Sequence, residues 1–350
     1  MSKSMDKQQK EVVSEFILRE VENHPADLLP TIAQYFGFTR QRAHAYVNRE
    51  VKKGTLIKVG KTKKTRYFLS AGNHIAFETK LVPNLKEDLI WVEYIKPMIT
   101  KLPENVRTIC GFGFTEIFNN AIDHSGGSEI YTDVKIINST ITITVMDNGV
   151  GIFNKIKEAL NLETAREAIL HLSKGKFTTD PSKHTGEGIF FTSRAFDSFS
   201  ISSEEMFYTF TGRDWFLSPE RQESFGRGTA IEMVLQTTTQ KNMKEVISKF
   251  TDQDIGFSKT IVAVALSADE NDPHVSRSQA KRLMLGLEKF KTIVLDFKGV
   301  PSVGQAFIDQ VFRIFRNEYP NSIIRYNNAN EAVEDMIKRY VPDADDLKLS

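Results

Sequence analysis

The sequence has one cysteine, Cys110, among 350 residues. A single thiol cannot pair within the chain, which excludes an internal disulfide framework and a cysteine-cluster metal site. No apolar run reaches the roughly 18 residues that a membrane span needs, and the N-terminal segment is polar rather than an apolar signal region. Internal repeats and low-complexity tracts are also lacking. We therefore expect a cytoplasmic protein, without membrane insertion, that has two or three domains with separate cores.

Acidic residues are nearly absent from one short segment. Residues 37–66 carry ten lysines and arginines and one acidic residue, Glu50, in a chain of 46 basic and 45 acidic residues. The positive charge is thus concentrated in a small part of a chain that is otherwise mildly acidic. This distribution predicts a polyanionic partner.

The first 70 residues contain short apolar patterns with clear breaks. Apolar residues recur at helical spacing in two stretches, and Thr39 is placed to cap a third helix that ends at Gly54. Two apolar stretches on either side of a cationic tip then predict a hairpin. The first two predicted helices span 9–22 and 28–36, and the predicted strands span 55–59 and 65–69.

This order of elements resembles a winged helix-turn-helix domain, which we assign to residues 1–70. The resemblance implies a recognition helix and a basic hairpin tip, and it predicts double-stranded DNA as a partner of residues 37–66. The alternatives are a solvated basic face and a protein-docking head. The predicted DNA-binding residues are Arg40, Gln41, Arg42, His44, Lys61, Lys63, Lys64 and Arg66.

Three polar residues share one face of the helix predicted after Phe114. Glu116, Asn120 and Asp123 lie at i, i+4 and i+7, opposite an apolar stripe that begins at Phe114. A solvated helix face shows the same pattern. The stripe alone therefore leaves both interpretations open.

Two glycine-containing motifs follow along the chain. Asp147, Gly149 and Gly151 come directly after an alternating strand, where glycines let the backbone approach a ligand closely. Gly186 and Gly188 open a helix, whose free N–H groups can receive phosphates. Each motif by itself is also compatible with a tight turn.

In this order, the three motifs and Thr229 on a late strand closely resemble the GHKL family. This family contains gyrase B subunits, histidine kinases, mismatch-repair ATPases and anti-sigma-factor kinases. The resemblance implies a Bergerat α/β sandwich, which we assign to residues 71–240, with a nucleotide lid at 152–188. It also implies ATP and Mg²⁺ as cofactors.

The resemblance assigns a role to each matched residue. Glu116 would be the general base, Asn120 an oxygen ligand of Mg²⁺, and Asp147 the acceptor for the adenine amino group. The other residues implied to bind ATP are Asp123, Gly149, Gly151, Gly186, Gly188 and Thr229. The lid lysines that are candidates for phosphate contacts are Lys174, Lys176 and Lys183.

Strands alternate with helices in the last third of the chain, which predicts a small, mostly parallel sheet. Ser276 is placed to cap one of these helices, which extends to about residue 290. The stretches 293–300 and 304–309 resemble STAS-like domains, and we assign residues 241–350 to such a domain. Gln305 and Ala306 stand where anti-sigma-factor antagonists carry a phosphorylatable serine, so phosphorylation there is not expected. The resemblance implies docking of a protein partner or self-association.

The expected fold class is α+β multidomain, with a winged helix-turn-helix, a GHKL-type α/β sandwich and a small STAS-like α/β domain. We expect an ATP-binding, ATP-hydrolysing regulator whose nucleotide state controls binding to DNA or to a partner. A histidine kinase is not expected. Such an enzyme acts on a histidine in a preceding paired-helix region, whereas residues 71–110 contain a single histidine, His74, and no clear heptad helix. The alternatives are a serine/threonine protein kinase of the anti-sigma-factor type and a non-hydrolysing, ATP-bound scaffold.

Overall fold

The structure is a computed structural model of the chain. The residues that it describes are 2–21, 23–53, 55–59, 65–69, 74–177, 185–204, 206–212, 214–218, 227–252, 256–267 and 276–349. No helix within these ranges is long and apolar enough to cross a lipid bilayer. Their secondary structure is α+β, with one large antiparallel sheet and one small parallel sheet.

The N-terminal part, called the head here, contains three helices and a two-stranded antiparallel sheet. Its elements are α1 Ser2–Glu20, α2 Leu28–Phe36, α3 Arg40–Lys53, β1 Leu56–Val59 and β2 Arg66–Leu69. Helix α2 ends at Gly37, which has a left-handed φ of 63°. Thr39 Oγ1 accepts a hydrogen bond from the Arg42 N–H (3.3 Å), so the predicted cap of the third helix is confirmed.

The head has its own hydrophobic core, to which all three helices and the hairpin contribute. The Tyr67 N–H donates to the Pro25 carbonyl (2.9 Å) and so joins strand β2 to the loop between α1 and α2. Val12, an apolar residue of the first predicted helix, is 51% exposed. The buried core residues are Val13, Phe16, Ile17, Val21, Leu28, Ile32, Ala43, Val47, Leu56 and Tyr67.

A seven-stranded antiparallel sheet follows the head. Its strands are β3 His74–Lys80, β4 Glu129–Ile137, β5 Thr140–Asp147, β6 Ser198–Ser203, β7 Met206–Phe210, β8 Trp215–Ser218 and β9 Thr229–Gln236, in the order β3-β4-β5-β9-β6-β7-β8. No strand was predicted within residues 71–110, and strand β3 corrects this. The strand pairs along its whole length with β4, and Ile75 and Phe77, two residues apart on one face, are buried in the hydrophobic core.

The helices of this central part are α4 Glu87–Ile90, which continues as a π-helix over Trp91–Ile95, α5 Glu104–His124, α6 Ile152–Leu160, α7 Ala165–Lys174, α8 Gly188–Ala195 and α9 Met243–Ser248. Helix α5 packs against β5, β9 and α8. Its predicted apolar stripe is buried, from Phe114 through Ile117 and Phe118 to Ala121. Cys110 is buried on the same helix, and burial raises the pKa of its thiol to about 12.

The last part of the chain, residues 256–349, is called the C-terminal unit here. Its strands β12 Lys259–Ala263, β13 Thr292–Asp296 and β14 Ile323–Asn327 form a parallel sheet, and a short hairpin of β10 Thr251–Asp252 and β11 Gly256–Phe257 precedes it. The helices are α10 Arg277–Met284, α11 Gln305–Ile308, which continues through a π-helix over Asp309–Phe315 into α12 Arg316–Glu318, then α13 Glu331–Tyr340 and α14 Ala344–Leu347. Ser276 caps α10, as predicted.

The central sheet and the C-terminal unit share one hydrophobic core, whereas we expected separate cores. The ring of Phe257 lies 4.5 Å from that of Phe190 on α8 and 5.2 Å from that of Phe290, between centroids. A sequence pattern shows which face of an element is apolar but not which other element covers it. The predicted boundaries at residues 70 and 240 remain predictions.

Candidate functional site

A cavity of about 320 Å³ lies between helix α5, the central sheet and residues of the stretches 151–177 and 185–189. Pockets that hold small molecules commonly have a volume of about 300–1,000 Å³ and an apolar lining with a few polar groups. This cavity fits that description. The described residues that line it are Glu116, Ile117, Asn119, Asn120, Ala121, His124, Ser125, Val145, Asp147, Gly151, Ile152, Lys155, Ile156, Leu172, Phe177, Thr185, Gly186, Gly188, Ile189, Thr229 and Ile231.

Helix α5 supplies the polar wall of the cavity. Glu116 and Asn120 are one helical turn apart and both line it. Asp123, the third member of the predicted stripe, is exposed near the end of the helix and is not a lining residue. The structure therefore brings two of the three predicted α5 residues to the cavity.

The carboxylate of Glu116 packs directly against the α-carbon of Gly188. A Cβ at position 188 would overlap Glu116 Oε2. Gly188 is the first residue of helix α8, whose N-terminal amide groups lack partners within the helix. Glycine at this position thus lets the carboxylate and the start of α8 face the same space.

Asp147 lies at the end of strand β5, on the opposite wall. Its Oδ1 accepts hydrogen bonds from the N–H groups of Gly149 (2.9 Å) and Thr229 (3.3 Å). Burial raises the pKa of the Asp147 carboxyl above its usual value, and the hydrogen bonds from Gly149 and Thr229 oppose this shift. The Thr229 hydroxyl in turn accepts a hydrogen bond from the Ile152 N–H (2.9 Å). These bonds fix the carboxylate at the cavity edge.

The two glycines after Asp147 have different surroundings. Gly149 is not a lining residue, and its α-carbon packs against the carbonyl of Ser125, just beyond helix α5. Gly151 lines the cavity with a φ of 85°, a conformation that favours glycine, and a Cβ there would lie 2.7 Å from Ser203 Oγ. Gly149 therefore closes the turn, while Gly151 faces the cavity.

Gly186 also lines the cavity, with a φ of 71°. Its α-carbon packs against the backbone of Phe177, which is a lining residue too. Residues 178–184, which belong to the predicted lid at 152–188, lie outside the described residues. Phe177 and Gly186, on either side of this stretch, are in contact at the cavity.

Lys155 is a cavity residue that sequence reasoning missed. Its Nζ donates a hydrogen bond to the His124 carbonyl (2.6 Å) at the end of helix α5. Among the described lining residues it is the only lysine or arginine. The sequence feature that could have identified it is its position four residues after Gly151, which places it one helical turn inside α6.

The lid lysines do not take the positions that we predicted for phosphate contacts. The Lys174 Nζ donates to the carbonyls of Arg282 (3.1 Å) and Leu285 (3.0 Å), and the Lys176 Nζ donates to the Lys289 carbonyl (3.2 Å). Both side chains thus contact the C-terminal unit instead of the cavity. The cause is the shared core, which brings helix α10 against the end of α7. Lys183 lies outside the described residues.

Four of the predicted DNA-binding residues lie in the first five residues of helix α3. Arg40, Gln41, Arg42 and His44 are exposed, and the guanidinium of Arg42 stacks over the ring of Phe38, 4.3 Å from its centroid. The His44 ring nitrogen Nδ1 is 3.1 Å from Asn48 Nδ2. Arg66 begins strand β2 and is half-buried, and Lys61, Lys63 and Lys64 lie outside the described residues.

Glu50, the one acidic residue of this basic segment, is 2% exposed. The Thr55 hydroxyl donates to its carboxylate (2.7 Å) and to its backbone carbonyl (2.9 Å). Since Glu50 points into the head, the exposed part of helix α3 presents positive charge from Arg40, Arg42 and Arg49. The sequence count had subtracted this carboxylate from the positive charge of the segment.

Two comparisons with known proteins bear on these assignments. No curated protein matches the chain. The model of one family, described as a STAS-like domain of unknown function (DUF4325), matches residues 279–334. This range covers β13, α11, α12 and β14 with parts of α10 and α13, and the STAS-like prediction is confirmed for these residues. The C-terminal unit therefore contains a STAS-like domain of unknown function.

Proposed function

We propose that the central cavity binds ATP with Mg²⁺ in the manner of GHKL proteins. The observation that carries this proposal is the meeting of three motifs that are far apart in sequence. Glu116 and Asn120 come from helix α5, Asp147 and Gly151 from the end of β5, and Gly186, Gly188 and Thr229 from later in the chain, yet all of them line one cavity.

The residues present fit such a ligand. Gly186 and Gly188 line the cavity beside the start of helix α8, whose first N–H groups have no partners within the helix and suit a phosphate chain. Asp147 is half-buried beside an apolar wall formed by Val145, Ile231 and other lining residues, which suits a flat base with one amino group to bind. The lining thus offers both hydrogen-bond donors and hydrogen-bond acceptors to a ligand.

Asn120 would hold Mg²⁺ through its amide oxygen, a ligand that this ion accepts. Among the described residues, no group of three or more His, Cys, Asp or Glu is placed to hold a metal ion. Bound Mg²⁺ would supply charge neutralisation for the phosphates. Glu116 would act as the general base toward a water or hydroxyl group.

Hydrolysis of ATP is the activity that we propose first, with a serine/threonine protein kinase of the anti-sigma-factor type as the second candidate. The retained carboxylate of Glu116 is compatible with both, since either reaction removes a proton from an attacking oxygen. The exposed basic face of helix α3 favours the first candidate within a regulator that binds duplex DNA.

The test is ATP binding by calorimetry and phosphate release, with and without Mg²⁺, in the wild type and in Glu116→Ala and Asn120→Ala. We expect Glu116→Ala to bind ATP but to lose about 10²- to 10⁴-fold in turnover. We expect Asn120→Ala to lose the Mg²⁺-dependent part of binding. Glu158→Ala, an exposed glutamate on α6, is the matched control and should behave as wild type.

A wild-type protein that binds no nucleotide would refute the proposal. Transfer of labelled phosphate to a protein, with no response to duplex DNA, would favour the kinase over the regulator.

A further inference from the structure

The stretch from Leu172 to Phe177 faces two parts of the molecule. Leu172 and Phe177 line the cavity. Lys174 and Lys176, which lie between them, donate hydrogen bonds to backbone carbonyls of the C-terminal unit. The same short stretch therefore forms both a wall of the cavity and a contact with the STAS-like domain.

Lys174 is 2% exposed and holds the end of helix α10. Its Nζ donates to the carbonyls of Arg282 and Leu285, and the Thr260 hydroxyl donates to the Lys174 carbonyl (2.7 Å). The last carbonyls of a helix lack partners within it, and a lysine placed there satisfies them and interacts favourably with the helix dipole. Lys174 thus connects α7 with both α10 and β12.

Lys176 makes a second connection, of a different kind. Its Nζ donates to the Lys289 carbonyl and lies 4.9 Å from the centroid of the Phe290 ring and 5.5 Å from that of Phe257. An ammonium group at such distances is attracted to the ring faces. The Phe257 ring also packs against Gly175, where a Cβ would lie 2.8 Å from the ring. The chain beside Lys176 is therefore held by packing as well as by charge.

We propose that Lys174 and Lys176 are positioning residues, through which the C-terminal unit holds the Leu172–Phe177 wall in a nucleotide-binding arrangement. This proposal rests on the proposed ATP binding. Its consequence is energetic linkage: nucleotide in the cavity strengthens the packing of the C-terminal unit against α7, and loss of that packing weakens nucleotide binding by the same factor. A protein partner that pulls on the STAS-like domain would thereby change nucleotide affinity.

Lys176→Met and Lys176→Arg test the proposal, because the first removes the cation and the second keeps it. We expect Lys176→Met to weaken ATP binding by about fivefold or more, within the usual range of coupling between sites, and Lys176→Arg to restore most of the affinity. Lys249→Met, at an exposed lysine after helix α9, is the control. Thermal unfolding of each variant verifies that it is folded.

Amide hydrogen exchange gives a measurement whose response to ATP would not change if Lys174 and Lys176 had a purely structural role. We expect ATP to slow amide exchange in residues 277–289 of the wild type and of Lys176→Arg, but much less in Lys176→Met. Lys174→Met should act in the same direction as Lys176→Met.

Unchanged ATP affinity in Lys176→Met, or equal losses in the Met and Arg variants, would overturn the positioning role while leaving ATP binding intact. A wild type that binds no ATP would instead remove the proposed function, and this inference with it.

Discussion

The α-carbon of Gly188 lies against the carboxylate of Glu116, so that no larger residue fits at position 188 without moving that carboxylate. The two residues are far apart in the sequence, on helices α5 and α8, and both line the cavity. Their contact joins the proposed general base to the glycine-rich motif that would receive phosphates.

Gly188→Ala should therefore impair catalysis through Glu116. The added methyl group overlaps the carboxylate oxygen, and we expect turnover to fall by about 10²-fold or more, toward the level of Glu116→Ala. In the Glu116→Ala background the overlapping oxygen is absent, so the same change should have little further effect on turnover. Phosphate release by the two single variants and the double variant measures this, and additive losses would contradict the contact.

Asp147→Asn should weaken ligand binding and stabilise the folded protein. The carboxyl pKa is raised by burial, so the charged form is disfavoured in the folded protein, while an amide oxygen can still accept from Gly149 and Thr229. We expect ATP affinity to fall by about tenfold or more, as for loss of a hydrogen bond to a charged group.

The same variant should be more stable than wild type at pH 7. An acid whose folded pKa is raised contributes stability that is present below its unfolded pKa and is lost as pH rises through the folded pKa. The stability difference between Asp147→Asn and wild type should therefore shrink as pH falls below this raised pKa. Urea unfolding at several pH values measures it. A variant less stable than wild type at pH 7 would show that the charged form of Asp147 stabilises the folded protein.

The buried Lys174 should make stability depend on pH above neutrality. Burial lowers its pKa from 10.5 to about 7, whereas the unfolded chain keeps the ordinary value. Between about pH 7 and 10.5 the unfolded state then binds more protons, so this group makes the free energy of unfolding rise with pH. The neutral amine still offers two N–H groups to the carbonyls of Arg282 and Leu285.

Urea unfolding of wild type and of Lys174→Met at pH 6.5, 8 and 9.5 checks this prediction. We expect the stability of wild type relative to the variant to increase across the series. A constant difference would mean that Lys174 keeps an ordinary pKa. Lys249→Met is again the control, since the exposed side chain should leave the pH dependence unchanged.

Arg42 should contribute to the binding of duplex DNA. It is exposed near the start of helix α3, and its guanidinium is held over the ring of Phe38. We expect Arg42→Ala to weaken binding of a duplex oligonucleotide by about tenfold. If the contact is to a phosphate, the slope of the logarithm of the binding constant against the logarithm of the salt concentration should become shallower by about one. Fluorescence anisotropy over a range of salt concentrations measures both.

Arg19→Ala is the matched control for the head, because Arg19 is exposed on helix α1 and pairs with its neighbour Glu20. Its DNA binding should equal that of wild type. Equal losses for Arg19→Ala and Arg42→Ala would indicate a diffuse charge effect without a recognition helix.

The sequence alone determined the local elements of the protein. Helix α2 was predicted at 28–36 and observed at Leu28–Phe36, and the caps at Thr39 and Ser276 were confirmed. These features depend on the spacing of apolar residues and on side chains that bind nearby backbone groups, which neighbours in sequence decide. The STAS-like part was identified by its resemblance to such domains, and the family match to residues 279–334 confirms it.

The tertiary structure decided which other parts of the protein each element contacts. Strand β3 takes its place through pairing with β4, Glu50 is buried by the head, and Lys174 and Lys176 turn to the C-terminal unit instead of the cavity. A charged side chain has the same local pattern whether it meets solvent, a phosphate or a helix end. Its partner depends on contacts between residues far apart in sequence, which only the packed core brings together.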